Sequence, residues 1–427
     1  MPNDTNELLS MLNDVAAQSH TEHEMPSASP AATTSHTGPQ QLQQAYMNLQ
    51  KIMLYAAEKN ASDIFIAPEF PPAVKINGKI TPLSSKPYTA EITRDTVLST
   101  MTPKQIKDFQ NELELNYAIK ANSDVRFRVN AYHEQGRIGM VMRKINTEIA
   151  TLDDLGLPPI LKDLSLEKRG LIIVVGATGS GKSTTLAAMV DYRNEHSYGH
   201  IITIEDPVEF VHPHKNCVVM QREVGIDTDN WEIALKNTLR QAPDVILMGE
   251  IRDAETMEHA MAFAETGHLC LATLHANSAN QAIDRIINFF PEERHQQLLM
   301  DLSLNLRGMI SQRLIPKKDS KGRAAAVEIM LNTPLVSELI FKGETSEIKE
   351  IMKKSREFGM QTFDQALEDL YNEGKISYEE ALRNADSVND LRLSIKLKSN
   401  TGGSNQADPL SSLNLMDDTA LAESLNS

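Results

Sequence analysis

Residues Gly176, Ala177, Thr178, Gly179, Ser180, Gly181, Lys182 and Ser183 carry the most specific chemistry in this chain. They follow the apolar run Leu171–Val175 and precede a helix-forming stretch that starts at Thr184. Glycines at these spacings let backbone N–H groups close around phosphate oxygens. A lysine then reaches the β- and γ-phosphates, and the hydroxyl after it ligates Mg²⁺. The segment implies binding, and cleavage, of a nucleoside triphosphate.

Three further segments place polar side chains at the ends of apolar runs. Ile201–Ile204 leads into Glu205, Asp206 and Glu209. Carboxylates just past a buried strand can orient an attacking water or hold Mg²⁺ through water, and elsewhere they simply cap the next element. Val245–Met248 delivers Glu250, the position of the second nucleotide-binding carboxylate, while Asp253 suits the cap of the following helix. Leu269–Thr273 lies between His268 and His275. His275, just past the strand end, stands where a γ-phosphate sensor would sit. A lone histidine is more often structural, and that reading stays open for both.

The elements that must position these groups alternate from Arg169 onward. Apolar runs near 171–175, 201–204, 245–249, 269–273 and 326–330 predict a parallel sheet covered on both faces, with a helical pattern from Thr333 to about 385. Before it, helical spacing over 42–60, strands at 63–67, 73–76 and 79–80 around Asn77-Gly78, a helix over 102–114 and an antiparallel pair at 126–132 and 138–143 predict a small α+β domain. The expected organisation is a tail 1–40, an N-terminal domain 41–150, a linker 151–168, an ATPase domain 169–398 and a tail 399–427. Both tails lack the apolar content for a core and are expected to be disordered; short apolar clusters at Leu8–Leu12 and Leu413–Met416 interrupt them.

Composition narrows the function classes. The chain has 427 residues, a formal charge of −16 and 41% hydrophobic residues. An acidic chain without a basic or aromatic stripe is a poor holder of nucleic-acid backbone, which argues against a DNA motor. No apolar run approaches the ~18 residues of a membrane span, and the N-terminus has no signal-peptide pattern. The two cysteines, Cys217 and Cys270, read as reduced thiols of a cytoplasmic protein, not a metal site.

Together, in this order and spacing, the segments resemble the secretion and type IV pilus ATPase superfamily, with its Walker A loop, Asp box, Walker B strand and His box. The runs Gln221-Arg222-Glu223-Val224-Gly225 and Arg285–Glu293 carry the resemblance further. Within the superfamily the chain is similar to the PilT/PilU retraction group, on its PilU side, through Arg240-Gln241-Ala242-Pro243-Asp244 and Ile340-Phe341-Lys342-Gly343-Glu344. The tetracysteine zinc module of assembly and type II secretion ATPases is impossible with two cysteines. The resemblance implies an α/β chain: a PAS-like α+β N-terminal domain, then a RecA-like P-loop ATPase domain with C-terminal helices, in a homohexamer that uses ATP and Mg²⁺. It implies catalytic roles for Lys182, Glu209, Glu250 and His275, and Mg²⁺ held at Ser183 and Glu250 through ATP and water. Nucleotide contacts are implied for the loop through Thr184, for Arg126, Arg128, Arg143 and Arg169, and for His268. It further implies pilus retraction as an accessory motor beside a PilT-type ATPase, at the cytoplasmic face of the inner membrane on the pilus platform protein. The alternatives are an assembly or secretion motor and a nucleotide-binding scaffold that tunes PilT.

Overall fold

The computed structural model describes residues 38–76, 78–122, 125–145, 148–319 and 321–401. The apolar clusters Leu8–Leu12 and Leu413–Met416, and Asn77 of the expected hairpin turn, lie outside the described residues. The described chain forms two compact units: one runs to Leu314 and takes in Val327–Gln361, and the other comprises Ile315–Ala326 and the residues from Thr362 on.

The first unit opens with α1 (Pro39–Glu58), then β1 (Asp63–Ile66), β2 (Ala73–Ile76), β3 (Lys79–Pro82), α2 (Ala90–Leu98), α3 (Pro103–Glu112), β4 (Glu114–Lys120), β5 (Arg126–Glu134) and β6 (Arg137–Ile145). The strands make one six-stranded sheet in the order β3-β2-β1-β6-β5-β4, every pairing antiparallel. Leu49, Ile52, Met53 and Ala56 recur at helical spacing on α1 and are fully buried. They pack with Phe127, Val129 and Ala131, alternate residues of β5. The same alternation sends Arg126, Arg128 and Asn130 to the opposite face. Arg128 pairs across to Arg143 of β6, so the two guanidiniums share that face.

The second sheet holds β7 (Gly170–Val175), β8 (Gly199–Glu205), β9 (Cys217–Glu223), β10 (Val245–Met248), β11 (Leu269–Leu274), β12 (Leu306–Pro316) and β13 (Arg323–Leu331). Its seven-stranded order is β13-β12-β7-β11-β10-β8-β9, and the pairings from β12 through β9 are parallel. Every residue of β7, β10 and β11 is buried, as expected of strands covered on both faces. The helices interleaved with them are α4 (Ile160–Ser165), α5 (Lys182–His196), α6 (Trp231–Thr238), α7 (Ala254–Glu265), α8 (Ala279–Ile287), α9 (His295–Asn305), α10 (Pro334–Lys342) and α11 (Ile348–Lys354). Met257, Ala260, Met261 and Ala264 of α7 pack into this core with Ile173 and Cys270. Truncating a residue such as Ile173 to alanine removes contacts worth roughly 2–5 kcal/mol.

The second unit has its own core. Ile315, Ala324 and Ala326 meet Phe363 and Leu367 of α12 (Phe363–Asn372), with Ala381 of α13 (Tyr378–Arg383) and Leu391 of α14 (Val388–Thr401). Ser377 caps α13 by accepting from the Glu380 N–H.

Candidate functional site

The phosphate loop is built by close packing as much as by its own sequence. A Cβ at Gly176 would lie 2.8 Å from the Gln312 carbonyl oxygen and collide with the Ser180 hydroxyl. Gly181 has φ +92°, and a Cβ there would lie 2.7 Å from the Gln312 side-chain nitrogen. The loop therefore wraps Gln312 of β12, whose amide oxygen accepts from the Thr185 hydroxyl at 2.6 Å. Lys182 donates to the carbonyls of Gly176 (2.8 Å) and Ala177 (3.1 Å). Its burial lowers the ammonium pKa, and nearby Glu250 opposes that. The Ser180 hydroxyl is buried and unpartnered. Ser183 is exposed on the first turn of α5, and Thr184 is half-buried beside it. A cradle closed to a Cβ at Gly176 and Gly181, an orphan Ser180 hydroxyl, the Lys182 ammonium and a helix N-terminus fit a polyphosphate.

Parallel pairing carries the other segments to the same edge. Val175 at the end of β7 pairs with Leu274 of β11, and Met248 of β10 pairs with Ala272 and with Ile204 of β8. Glu250, His275 and Asp206 thus follow adjacent strand ends. One oxygen of Glu250 faces His275 Nε2 at 3.4 Å and the other accepts from Arg252 Nε at 3.1 Å. Arg252 Nη1 reaches Asp206 at 3.4 Å. Burial lowers the His275 pKa, with Lys182 next in effect, while Glu250 pulls it back. Burial raises the Glu205 pKa; its carboxyl accepts from Thr203 Oγ1 (2.6 Å) and Gln221 Nε2 (3.2 Å). Asp253 caps α7, accepting from the Thr256 N–H at 2.9 Å. A cavity of about 490 Å³ opens beside Ala177, lined by His275, Asn277, Asp284 and Arg285.

Glu209 is exposed and lines a separate cavity of about 310 Å³ with Arg128, Arg143, Asp63, Asn116 and Asn130. Arg143 pairs with Asp63 at 3.0 Å. Arg128 approaches Glu223 at 3.8 Å, and Glu223 accepts from the Val208 N–H at 3.2 Å. Burial raises the Glu223 pKa, while Arg128 and Arg126 hold it down. The N-terminal sheet thereby brings Arg126 and Arg128 to the segment that carries Glu209.

Arg169 and His268 are not brought to the phosphate loop. They precede the first residues of β7 and β11, which pair with each other as Gly170 and Leu269. That edge lies about 20 Å from the loop across six residues of β7. His268 Nδ1 lies 3.1 Å from Thr266 Oγ1 and 3.2 Å from the Phe263 carbonyl, closing the end of α7. The Arg169 carbonyl accepts from Arg307. Strand polarity separates both from a loop nucleotide within one chain. Sequence reasoning passed over Arg252, Arg285 and Gln312. Arg252 stands two residues past Glu250, a signal that was available; Gln312 is distant in sequence from the loop it fills.

A parallel sheet with a phosphate loop, carboxylates and a histidine along its carboxyl edge is the arrangement of a P-loop nucleotide-hydrolysing protein. The chain belongs to the family described as type II/IV secretion system protein, which matches residues 40–383. It is 58% identical over 367 residues to the type IV pilus ATPase PilU of Pseudomonas aeruginosa, covering 86% of this chain and 95% of that protein. It is 41% identical over 339 residues to the retraction ATPase PilT of the same organism, covering 79% of this chain and 98% of that one. A crystal structure of the pilus retraction motor PilT with bound ADP superposes with a TM-score of 0.75 at 38% identity, covering 81% of this chain and 99% of that chain. Among the described residues no helix is long and apolar enough to cross a membrane.

Proposed function

We propose that this chain is an ATP-hydrolysing motor of type IV pili that powers retraction as an accessory partner of a PilT-type ATPase. One observation carries the hydrolytic reading: Lys182, Glu250, His275, Arg252 and Asp206 converge at one sheet edge beside a loop closed to a Cβ at Gly176 and Gly181. The similarity to PilU and PilT supports the motor reading.

In this reading, residues 41–150 form a PAS-like domain, 151–168 a linker, and 169–398 a RecA-like ATPase domain with C-terminal helices. The loop N–H groups from Gly176 to Thr184 bind the ATP phosphates. Lys182 leaves the carbonyls of Gly176 and Ala177 for the β- and γ-phosphates. Ser183, and Glu250 through water, would hold Mg²⁺, which would supply charge neutralisation for the phosphates. Glu209 polarises the attacking water. Arg126, Arg128 and Arg143 close on the nucleotide from the N-terminal sheet, and His275 senses the γ-phosphate edge. Six copies form a ring whose sequential closure turns the inner-membrane platform protein from the cytoplasmic face, without zinc and without nucleic acid.

The test is pilus retraction in a deletion strain, with and without the PilT partner. Weakened retraction under load, restored by the wild-type chain and not by Lys182→Ala, is the expected result. Loss of pilus assembly instead would make the chain an assembly motor. Full rescue by Lys182→Ala would make it a nucleotide-independent scaffold.

A further inference from the structure

We infer that Arg252 is a positioning residue of the hydrolytic site: its guanidinium ties Glu250 at the end of β10 to Asp206 after β8, and so sets Glu250 and Glu209 relative to each other. This rests on the site reading above. The Arg252 backbone is fixed first, its N–H donating to Thr256 Oγ1 at 3.1 Å in the cap of α7. From there Nε meets Glu250 Oε2 at 3.1 Å and Nη1 meets Asp206 Oδ2 at 3.4 Å. The other Glu250 oxygen lies 3.4 Å from His275 Nε2, so the Arg252 guanidinium is the charged group that fixes this carboxylate. Asp206 stands three residues before Glu209 in one short connection.

A planar guanidinium can span two carboxylates with fixed angles; an ammonium is a point charge on a flexible stem and cannot impose that geometry. The Arg252 side chain is 48% exposed, against 25% for Glu250 and 33% for Asp206. Ion pairs this wet contribute little to stability. The bridge joins two strand ends that carry acidic groups of the site, so its effect falls on geometry. Removing it unties the Asp206–Glu209 segment from Glu250 and takes away the guanidinium that orients that carboxylate.

The full chain is compared with Arg252→Ala, Arg252→Lys, Asp206→Asn and the Arg252→Ala/Asp206→Asn double variant. Readouts are kcat, KM for ATP, thermal unfolding without nucleotide, and binding of a fluorescent ADP with and without Mg²⁺. Arg252→Ala should lower kcat about 10-fold or more with KM for ATP held within about 3-fold. Unfolding and Mg²⁺-free ADP binding should match wild type, while the gain in ADP affinity on adding Mg²⁺ shrinks. Arg252→Lys should recover only part of kcat. Asp206→Asn should lower kcat too, and the double variant should lose no more than Arg252→Ala alone. Wild-type kcat in Arg252→Ala, a loss confined to KM, or multiplying losses in the double variant would overturn the inference. If Arg252→Ala does not fold, wild-type kcat in both Arg252→Lys and Asp206→Asn overturns it. Glu250→Gln separates the two levels. Intact turnover in that variant sinks the site reading itself; lost turnover there beside a normal Arg252→Ala sinks only the role of Arg252.

Discussion

Arg128→Ala should destabilise the protein more than Glu223→Gln, although both break the same ion pair. Glu223 is 1% exposed while Arg128 keeps 31% of its side chain in water. Losing the arginine leaves a buried carboxylate short of a counter-charge; losing the carboxylate leaves an arginine that water can solvate. At 3.8 Å the attraction is about 4 kcal/mol at an effective dielectric of ~20. Hydration of Arg128 removes more than half of that, and Arg126 remains nearby, so Arg128→Ala should cost roughly 1–2 kcal/mol. Glu223→Gln should fall within about 0.5 kcal/mol of wild type, since its amide oxygen still accepts from Val208. The double variant should regain most of the Arg128→Ala loss.

The pH dependence has a definite sign. Burial holds the Glu223 carboxyl above its ordinary value of 4.5, and Arg128 pulls it back. A protonated Glu223 needs no arginine. The Arg128→Ala deficit should therefore be full at neutral pH and vanish as pH falls through the raised pKa. The assay is denaturant unfolding of the four proteins at pH 8 and at mildly acidic pH. Equal losses for both single variants, or a double variant as unstable as Arg128→Ala, would refute the buried-charge argument.

Other expectations follow from single sites. Lys182→Ala should abolish hydrolysis, read as phosphate release at saturating ATP; near-normal release would remove Lys182 from the site. Gly176→Ala should prevent ADP binding, because its Cβ meets Ser180 and the Gln312 carbonyl; calorimetry with wild-type affinity would contradict the packing account. His212 is buried with its pKa lowered to about 4, so its stabilising neutral form is complete above 6.5 and lost as pH falls toward 4. Wild type should thus lose up to about 3 kcal/mol over that window through this group, and His212→Leu should lack that component in unfolding at pH 7 and pH 4.5. Purified protein should carry no stoichiometric zinc after dialysis against chelator, as metal analysis would read.

The loop at 176–183 was legible because its residues and its flanking strand and helix are consecutive. So were β7, β10 and β11, whose apolar runs are uninterrupted, and the β5–β6 hairpin. Edge strand β9 was missed: Val218 and Met220 are exposed while Cys217 and Val219 are buried, and Gln221-Arg222-Glu223 ends it in polar residues. Strand β12 was missed because Arg307, Gln312 and Arg313 interrupt its apolar pattern, and Gln312 is polar for the sake of the loop it fills. Strand β4 was hidden by Glu114 and Asn116, and α2 by its threonines. At the site, sequence located each group and could not say which strand ends are adjacent. The register of β7, β8, β10 and β11 supplies that: it gathers Asp206, Glu250 and His275 and leaves Arg169 and His268 at the far edge.

The most direct test of the central claim is ATP binding and turnover measured on the same preparation of wild type and Glu209→Gln. Turnover in the wild type should depend on Mg²⁺. If Glu209 acts on the attacking water and not on phosphate, ATP affinity in the variant should stay within about 3-fold of wild type while turnover slows at least ~10²-fold. Near-normal turnover in Glu209→Gln, at unchanged affinity, would rule out that role for Glu209.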